Sequence, residues 1–357
     1  MAYSTDTILS VLKGLILSVL GGTVCSLLRV PLPWMLGPLF AMAFARMRDM
    51  PVSSLQGSRQ AGQLVIGCAL GQYFTPEVGY YVASHSLLIA GAAFGTLVLG
   101  SMSGFVLSRT TGTDPVTSFF SSLPGGASEM VVLADRFGAR LDKVALAHSL
   151  RVPMVVSIIP FLMFWSGASG TDSYQPVMRA FELHGFLLLL SGATACGLAL
   201  QKIRMPNAWM FGPLFLSISL TLFDYRTSAM PSFVVNAGQL FIGCSLGARF
   251  LPSFIREAPR FAAGVLLSVV ASLCLSACMG VIISFLGNIP LASAVLGTAP
   301  GGLAEMCITA KVLKLGVPLV TALHITRLLL IMTLSAPAVY VALRYSDRLR
   351  SAVKRRQ

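Results

Sequence analysis

The chain has 357 residues, 55% of them apolar and only 11% charged, against about 25% charged in a soluble globular domain. Twenty-six Lys and Arg against thirteen Asp and Glu leave a net charge of +13. No basic helix or aromatic platform accompanies that charge, which argues against a nucleic-acid partner and for basic cytoplasmic loops. Apolar runs of bilayer-spanning length recur from end to end, so the expected class is an all-α integral membrane protein whose first partner is the lipid bilayer.

In chain order the apolar elements fall at 7–28, 32–48, 58–74, 82–109, 115–135 and 143–166. A second set follows at 182–203, 207–223, 232–251, 259–287, 291–313 and 318–345. The N-terminus lacks a basic n-region and a cleavage site, so the first element reads as an uncleaved span. Seven cysteines lie mostly inside apolar runs without Cys-x-x-Cys or Cys/His spacing, and packed, reduced thiols with no metal are expected.

The second set repeats the first. Arg29-Val-Pro-Leu-Pro-Trp34-Met-Leu-Gly37-Pro38 matches Arg204-Met-Pro-Asn-Ala-Trp209-Met-Phe-Gly212-Pro213. Ala61-Gly62-Gln63 with Gly67-Cys68 matches Ala237-Gly238-Gln239 with Gly243-Cys244, and His148-Ser-Leu-Arg151 matches His324-Ile-Thr-Arg327. Offsets of 175 or 176 hold throughout, the mark of a gene duplication dividing the chain into repeats 1–170 and 171–357.

Loop charge sets the relative orientation of the repeats. A basic tail (Arg344, Arg348, Arg350, Lys354, Arg355, Arg356) sends the last span inward, whereas Arg136, Arg140 and Lys143 precede its counterpart and send it outward. Inverted repeats need an odd number of crossings in each, so one of the six elements must dip in and return. Choosing the 115–135 and 291–313 elements puts the tail, Arg46, Arg48, Arg59, Arg109, the 136–143 cluster, Lys202, Arg204, Arg249, Arg256 and Arg260 inside. Only Arg29, Arg179, Arg226, Lys311 and Lys314 remain outside. The expected architecture is a 5+5 inverted-topology repeat, about ten transmembrane helices plus two re-entrant or broken helices, in a bacterial inner membrane with both termini cytoplasmic.

Those two elements carry Pro124-Gly125-Gly126-Ala-Ser128-Glu129-Met130 and Pro300-Gly301-Gly302-Leu-Ala-Glu305-Met306. Broken backbone and a lone carboxylate at membrane depth need protein or water to satisfy them. Inverted repeats place solute and ion sites on such discontinuous helices near the midplane. Helices beginning near Gly126 and Gly302 would aim N–H groups and positive dipole ends at the centre, which suits an anion. Glu129 and Glu305 are candidates to carry protons or coordinate cations. Arg151 and Arg327, roughly 12 Å into their spans, would either hold an anionic solute or neutralise the nearby glutamates. His148 and His324, three residues earlier on the same face, would relay protons or pack. Gln63 and Gln239 would touch solute or join helices; Trp34 and Trp209 would anchor at the interface or fix a kink. Ser128 is matched by Ala304, so the two sites differ chemically.

The paired Pro-Gly-Gly-x-x-x-Met segments, the Trp-Met-x-Gly-Pro-Leu segments and the duplication resemble the AbrB-duplication membrane proteins over about residues 10–345. That family has often carried an ammonia monooxygenase label. The resemblance implies kinship with the cation/proton antiporters and bile-acid symporters, whose inverted five-helix repeats contain crossed discontinuous helices, and it also implies an effect on gene expression. The oxygenase label fails on the residues: His85, His148, His184 and His324 make no copper cluster, facial triad or Glu-x-x-His set. The expected function is a non-enzymatic secondary transporter of a small organic anion coupled to H⁺ or Na⁺, without cofactor; self-association is left open. The alternative is a membrane-bound regulator acting on gene expression through a soluble partner.

Overall fold

The computed structural model describes residues 5–168, 180–225, 228–250 and 258–354. Arg179, Arg226, Arg256, Arg355 and Arg356 of the charge assignment lie outside them, as do the side chains of Ser128, Arg344, Arg348, Arg350 and Lys354. The described residues form fifteen helices and no strand: α1 (Thr5–Leu27), α2 (Pro33–Met47), α3 (Ser58–Gly71), α4 (Pro76–Ser84), α5 (Ser86–Thr111), α6 (Pro115–Ser122), α7 (Ala127–Arg136) and α8 (Leu141–Trp165) in the first repeat. The second contributes α9 (Leu183–Lys202), α10 (Ala208–Leu222), α11 (Ser232–Gly247), α12 (Pro259–Gly287), α13 (Leu291–Thr298), α14 (Leu303–Leu313) and α15 (Val317–Lys354).

Local chemistry accounts for the boundaries. Asp114 accepts a 2.8 Å hydrogen bond from the Thr117 amide in front of Pro115, an N-cap followed by proline in the first turn. Thr75 caps α4 in the same way before Pro76. Gly112 closes α5 at φ 67°, a left-handed position that a glycine adopts without cost. The apolar stretch expected to begin at 82 is divided at His85, where ψ turns to 11°, so α4 stands apart from α5.

Six helical segments are long and apolar enough to cross a membrane: Asp6–Leu27, Ser86–Thr111, Leu141–Trp165, Leu183–Lys202, Pro259–Gly287 and Val317–Tyr340. They mark a multi-pass membrane protein. Only 17% of the apolar window of α1, and the same share of α9, is buried inside the protein, which leaves these two helices facing outward. Cys274 and Cys278 on α12 are exposed, in contrast to the packed thiols expected; Cys68, Cys244 and Cys307 are buried. Helices α2, α3, α10 and α11 are shorter, at 14 to 16 residues, or roughly 21–24 Å at 1.5 Å per residue.

These short helices form one packed group with α1 and α9. Glycines let the backbones meet: a Cβ on Gly62 would stand 2.6 Å from the Gly238 carbonyl oxygen, and one on Gly67 2.8 Å from that of Met210. Such small-residue contacts substitute for the hydrophobic effect, which is absent between helices in lipid. The second group is α5–α8 with α12–α15. There Ser103 and Ser268 bridge α5 and α12, each hydroxyl donating to the other's carbonyl at 2.8 and 3.1 Å. Each repeat contributes to both groups, and candidate residues of both Pro-Gly-Gly segments lie where the groups face each other.

Candidate functional site

Each Pro-Gly-Gly segment interrupts a helix, and the motif explains its own spacing. Helix α6 ends at Ser122, Leu123 is extended at ψ 133°, and Gly126 precedes α7 with ψ 138°. A Cβ on Gly125 would sit 2.8–3.1 Å from the side-chain atoms of Met130, and one on Gly126 would strike the Glu129 carboxylate. The same holds for Gly301 with Met306 and Gly302 with Glu305. The first glycine therefore seats the methionine and the second seats the glutamate. Each helix N-terminus at a break thus carries its own carboxylate, where the helix dipole favours negative charge.

The ends of each broken element lie together. The Arg140 amide, after α7, donates to Thr117 Oγ1 in the first turn of α6 at 2.8 Å, and Lys143 donates to Thr113 at 3.1 Å. In the second repeat a Cβ on Gly316, after α14, would be 3.5 Å from Ser293 Oγ at the start of α13.

The buried arginines satisfy the carbonyls freed by the break. Arg151 donates to the Leu123 carbonyl at 2.6 Å and to that of Gly125 at 3.4 Å. Arg327 donates to Ala299 and, at 2.6 Å, to Gly301. A helix C-terminus leaves carbonyls without partners, and the guanidinium fork spans two of them. Neither glutamate makes an ion pair within 4 Å; among the described residues the pair found is Arg140–Asp142. His148 lies 2.9 Å from the Phe120 carbonyl through Nε2 and 2.9 Å from an Arg151 nitrogen through Nδ1. This requires a neutral ring with the proton on Nε2, so that Nδ1 accepts from the arginine. His324 is equally buried but does not repeat these bonds: both of its ring nitrogens lack a hydrogen-bond partner.

A cavity of about 50 Å³ lies between the two helix groups and joins both motifs. Pro124, Gly125, Gly126, Gly301, Gly302, Glu305, Arg327 and Gln63 line it. Glu305 is 2% exposed and Arg327 1%, and the Arg327 Nε has no hydrogen-bond partner. Pro300, His148, His324, Gln239 and Glu129 are not on its wall; Glu129 is half-buried beside Gly126. Arg151 borders a separate void of about 10 Å³ lined by Ser103, Ser121, Ser122, Ser268 and Ser272. Trp34 packs on Gly22 and Trp209 on Gly197, which makes both part of helix crossings. No group of three or more His, Cys, Asp or Glu among the described residues could hold a metal.

Three polar lining residues were not legible as site residues in the sequence: Arg59, Asn207 and Arg249. The two arginines had been counted as loop charges. Their signal lay in the repeat itself, since these are positions at which it fails: Arg59 aligns with Val235, Arg249 with Tyr73 and Asn207 with Leu32.

The family described as "Transition state regulatory protein AbrB" matches residues 4–342. Among curated relatives, "Uncharacterized protein YhjN" of Bacillus subtilis (strain 168) is 28% identical over 352 residues, covering 90% of each chain. "Putative regulator AbrB" of Escherichia coli (strain K12) is 26% identical over 317 residues, covering 87% of this chain and 89% of its own. No solved structure matches.

Proposed function

Since the chain belongs to the AbrB family over nearly its whole length, we propose that it is a non-enzymatic secondary transporter of a small organic anion, coupled to H⁺ or Na⁺, with its solute site in the cavity between the two Pro-Gly-Gly breaks. The observation that carries this reading is the cavity wall itself. A carboxylate and a guanidinium with a free Nε are buried there, at the junction of two interrupted helices. Ionisable groups at membrane depth are costly and are kept where solutes or ions pass.

The topology that suits this function is the 5+5 inverted repeat, 1–170 and 171–357, with α6–α7 and α13–α14 re-entrant from opposite faces. The proximity of Thr117 to Arg140 and of Ser293 to Gly316 supports re-entrance, and the loop charges support cytoplasmic termini in a bacterial inner membrane. Arg327 would hold the anion, while Glu305 and Glu129 would carry the coupling proton or cation. Arg151 and His148 act as positioning residues that fix the first break.

Purified protein in proteoliposomes should accumulate radiolabelled short-chain carboxylates when a proton or sodium gradient is imposed. Glu305→Gln and Glu129→Gln should each abolish the gradient-driven component while inserting normally. Full transport by both variants would remove the carboxylates from the mechanism. The printed name of the Escherichia coli relative favours the second reading, a membrane-bound regulator working through a soluble partner. A stoichiometric partner recovered from crosslinked membranes, with no flux in liposomes, would decide for it.

A further inference from the structure

The two repeats are nearly alike around the breaks, yet three residues that line the cavity between them have no counterpart of their kind in the other repeat. Arg59 at the start of α3, Asn207 before α10 and Arg249 after α11 are partly exposed, whereas Glu305 and Arg327 are almost wholly buried. The cavity wall thus passes from partly exposed basic residues to an almost wholly buried carboxylate and guanidinium. At the positions that the repeat would make equivalent, Val235 is 5% exposed and Leu32 fully buried. The third, Tyr73, has the Lys311 ammonium 5.8 Å from its ring centroid, an arrangement stabilised by the ring quadrupole. Each of the three positions carries a charge or an amide in one repeat and an apolar or aromatic side chain in the other.

The charges also set what can bind. Arg59, Arg249 and Arg327 border the cavity against Glu305, and Arg249 lies within electrostatic reach of both Glu305 and Glu129. Three guanidinium groups thus share the wall with a single carboxylate, an excess of basic side chains that suits an anion. One water needs about 10–15 Å³ of such space, so a cavity of about 50 Å³ accommodates on the order of four non-hydrogen atoms. We infer that the cavity binds a compact oxyanion, of the size of formate or acetate, admitted past Arg59 and Arg249. This rests on the cavity being a solute site and is independent of whether the bound anion is then transported.

The test reads charge selectivity at the cavity without requiring flux. Ala127→Cys, on the partly exposed wall beside Gly126, is labelled in proteoliposomes with anionic iodoacetate and with neutral iodoacetamide, whose bodies are close in size to acetate. The parent's labelling is subtracted and rates are normalised to a free thiol. The anionic reagent should be favoured by about tenfold or more, within the range expected for electrostatic steering into a charged cleft. Arg59→Gln with Arg249→Gln should bring the ratio close to one. In gluconate buffer, formate and acetate should slow the labelling while citrate at equal ionic strength does not. Val152→Cys, on the same wall, serves if Ala127→Cys does not insert. A normalised ratio of one in the parent, or protection by citrate equal to that by acetate, overturns the inference. Charge-selective labelling and acetate protection without flux would leave it standing and remove the transport reading alone; flux without charge selectivity would do the reverse.

Discussion

Arg327 donates to the Gly301 carbonyl at 2.6 Å, although the Glu305 carboxylate stands in the same cavity wall. Backbone outranks the ion pair because a helix interrupted away from water leaves carbonyls that nothing else can satisfy. Arg151 makes the same choice at Leu123 and Gly125. The Glu305 carboxylate is thereby left without an ion pair within 4 Å among the described residues.

Arg327→Lys should be destabilising. An ammonium is a point charge and cannot span the Ala299 and Gly301 carbonyls at once, so one buried acceptor loses its partner at a cost of about 1–3 kcal/mol. Thermal unfolding in detergent should show a drop of several degrees. An unchanged Tm would mean that the carbonyl grip is not structural.

Gly302→Ala should displace the Glu305 carboxylate, because the new methyl group and that carboxylate claim the same space. The two positions are therefore energetically coupled. In a double-mutant cycle, Gly302→Ala should cost about 1 kcal/mol less in a Glu305→Ala background than in the parent. Additive losses would disprove the proposed seating of the glutamate.

Gly37→Ala should disrupt the α1–α2 crossing, since its Cβ would meet the Gly21 backbone, with the Gly22 nitrogen 2.6 Å away. Backbone cannot rotate aside as a side chain can, and about 1–3 kcal/mol of overpacking is expected. Gly91→Ala in α5 meets nothing within 4 Å and should be neutral or slightly stabilising through helix propensity. Comparing the two melting temperatures checks the crossing against a general intolerance of substitution.

Pro115→Cys and Arg140→Cys flank the first broken element at exposed positions. Both should react with an impermeant maleimide from the same side of sealed membranes. Labelling from opposite sides would make α6–α7 a crossing element and would undo the inverted 5+5 topology.

The sequence alone determined what depends on composition and local order. Apolar runs marked the helices, a constant offset of 175 or 176 exposed the duplication, and Pro-Gly-Gly located both interruptions, because proline and glycine oppose a continuing helix whatever surrounds them. It could not say what satisfies the broken ends. Arg151 faced either a solute or a glutamate on spacing alone, and the carbonyls of Leu123 and Gly125 became its partners only when α8 packed against α6 and α7. Nor could spacing distinguish Gln63, on the cavity wall, from its repeat partner Gln239, buried elsewhere. Arg59 and Arg249 read as loop charges until α3 and α11 brought them to one cavity wall. Tertiary structure decided these points because a cavity is lined by residues distant in the chain, and a charge takes its role from what packing leaves within reach.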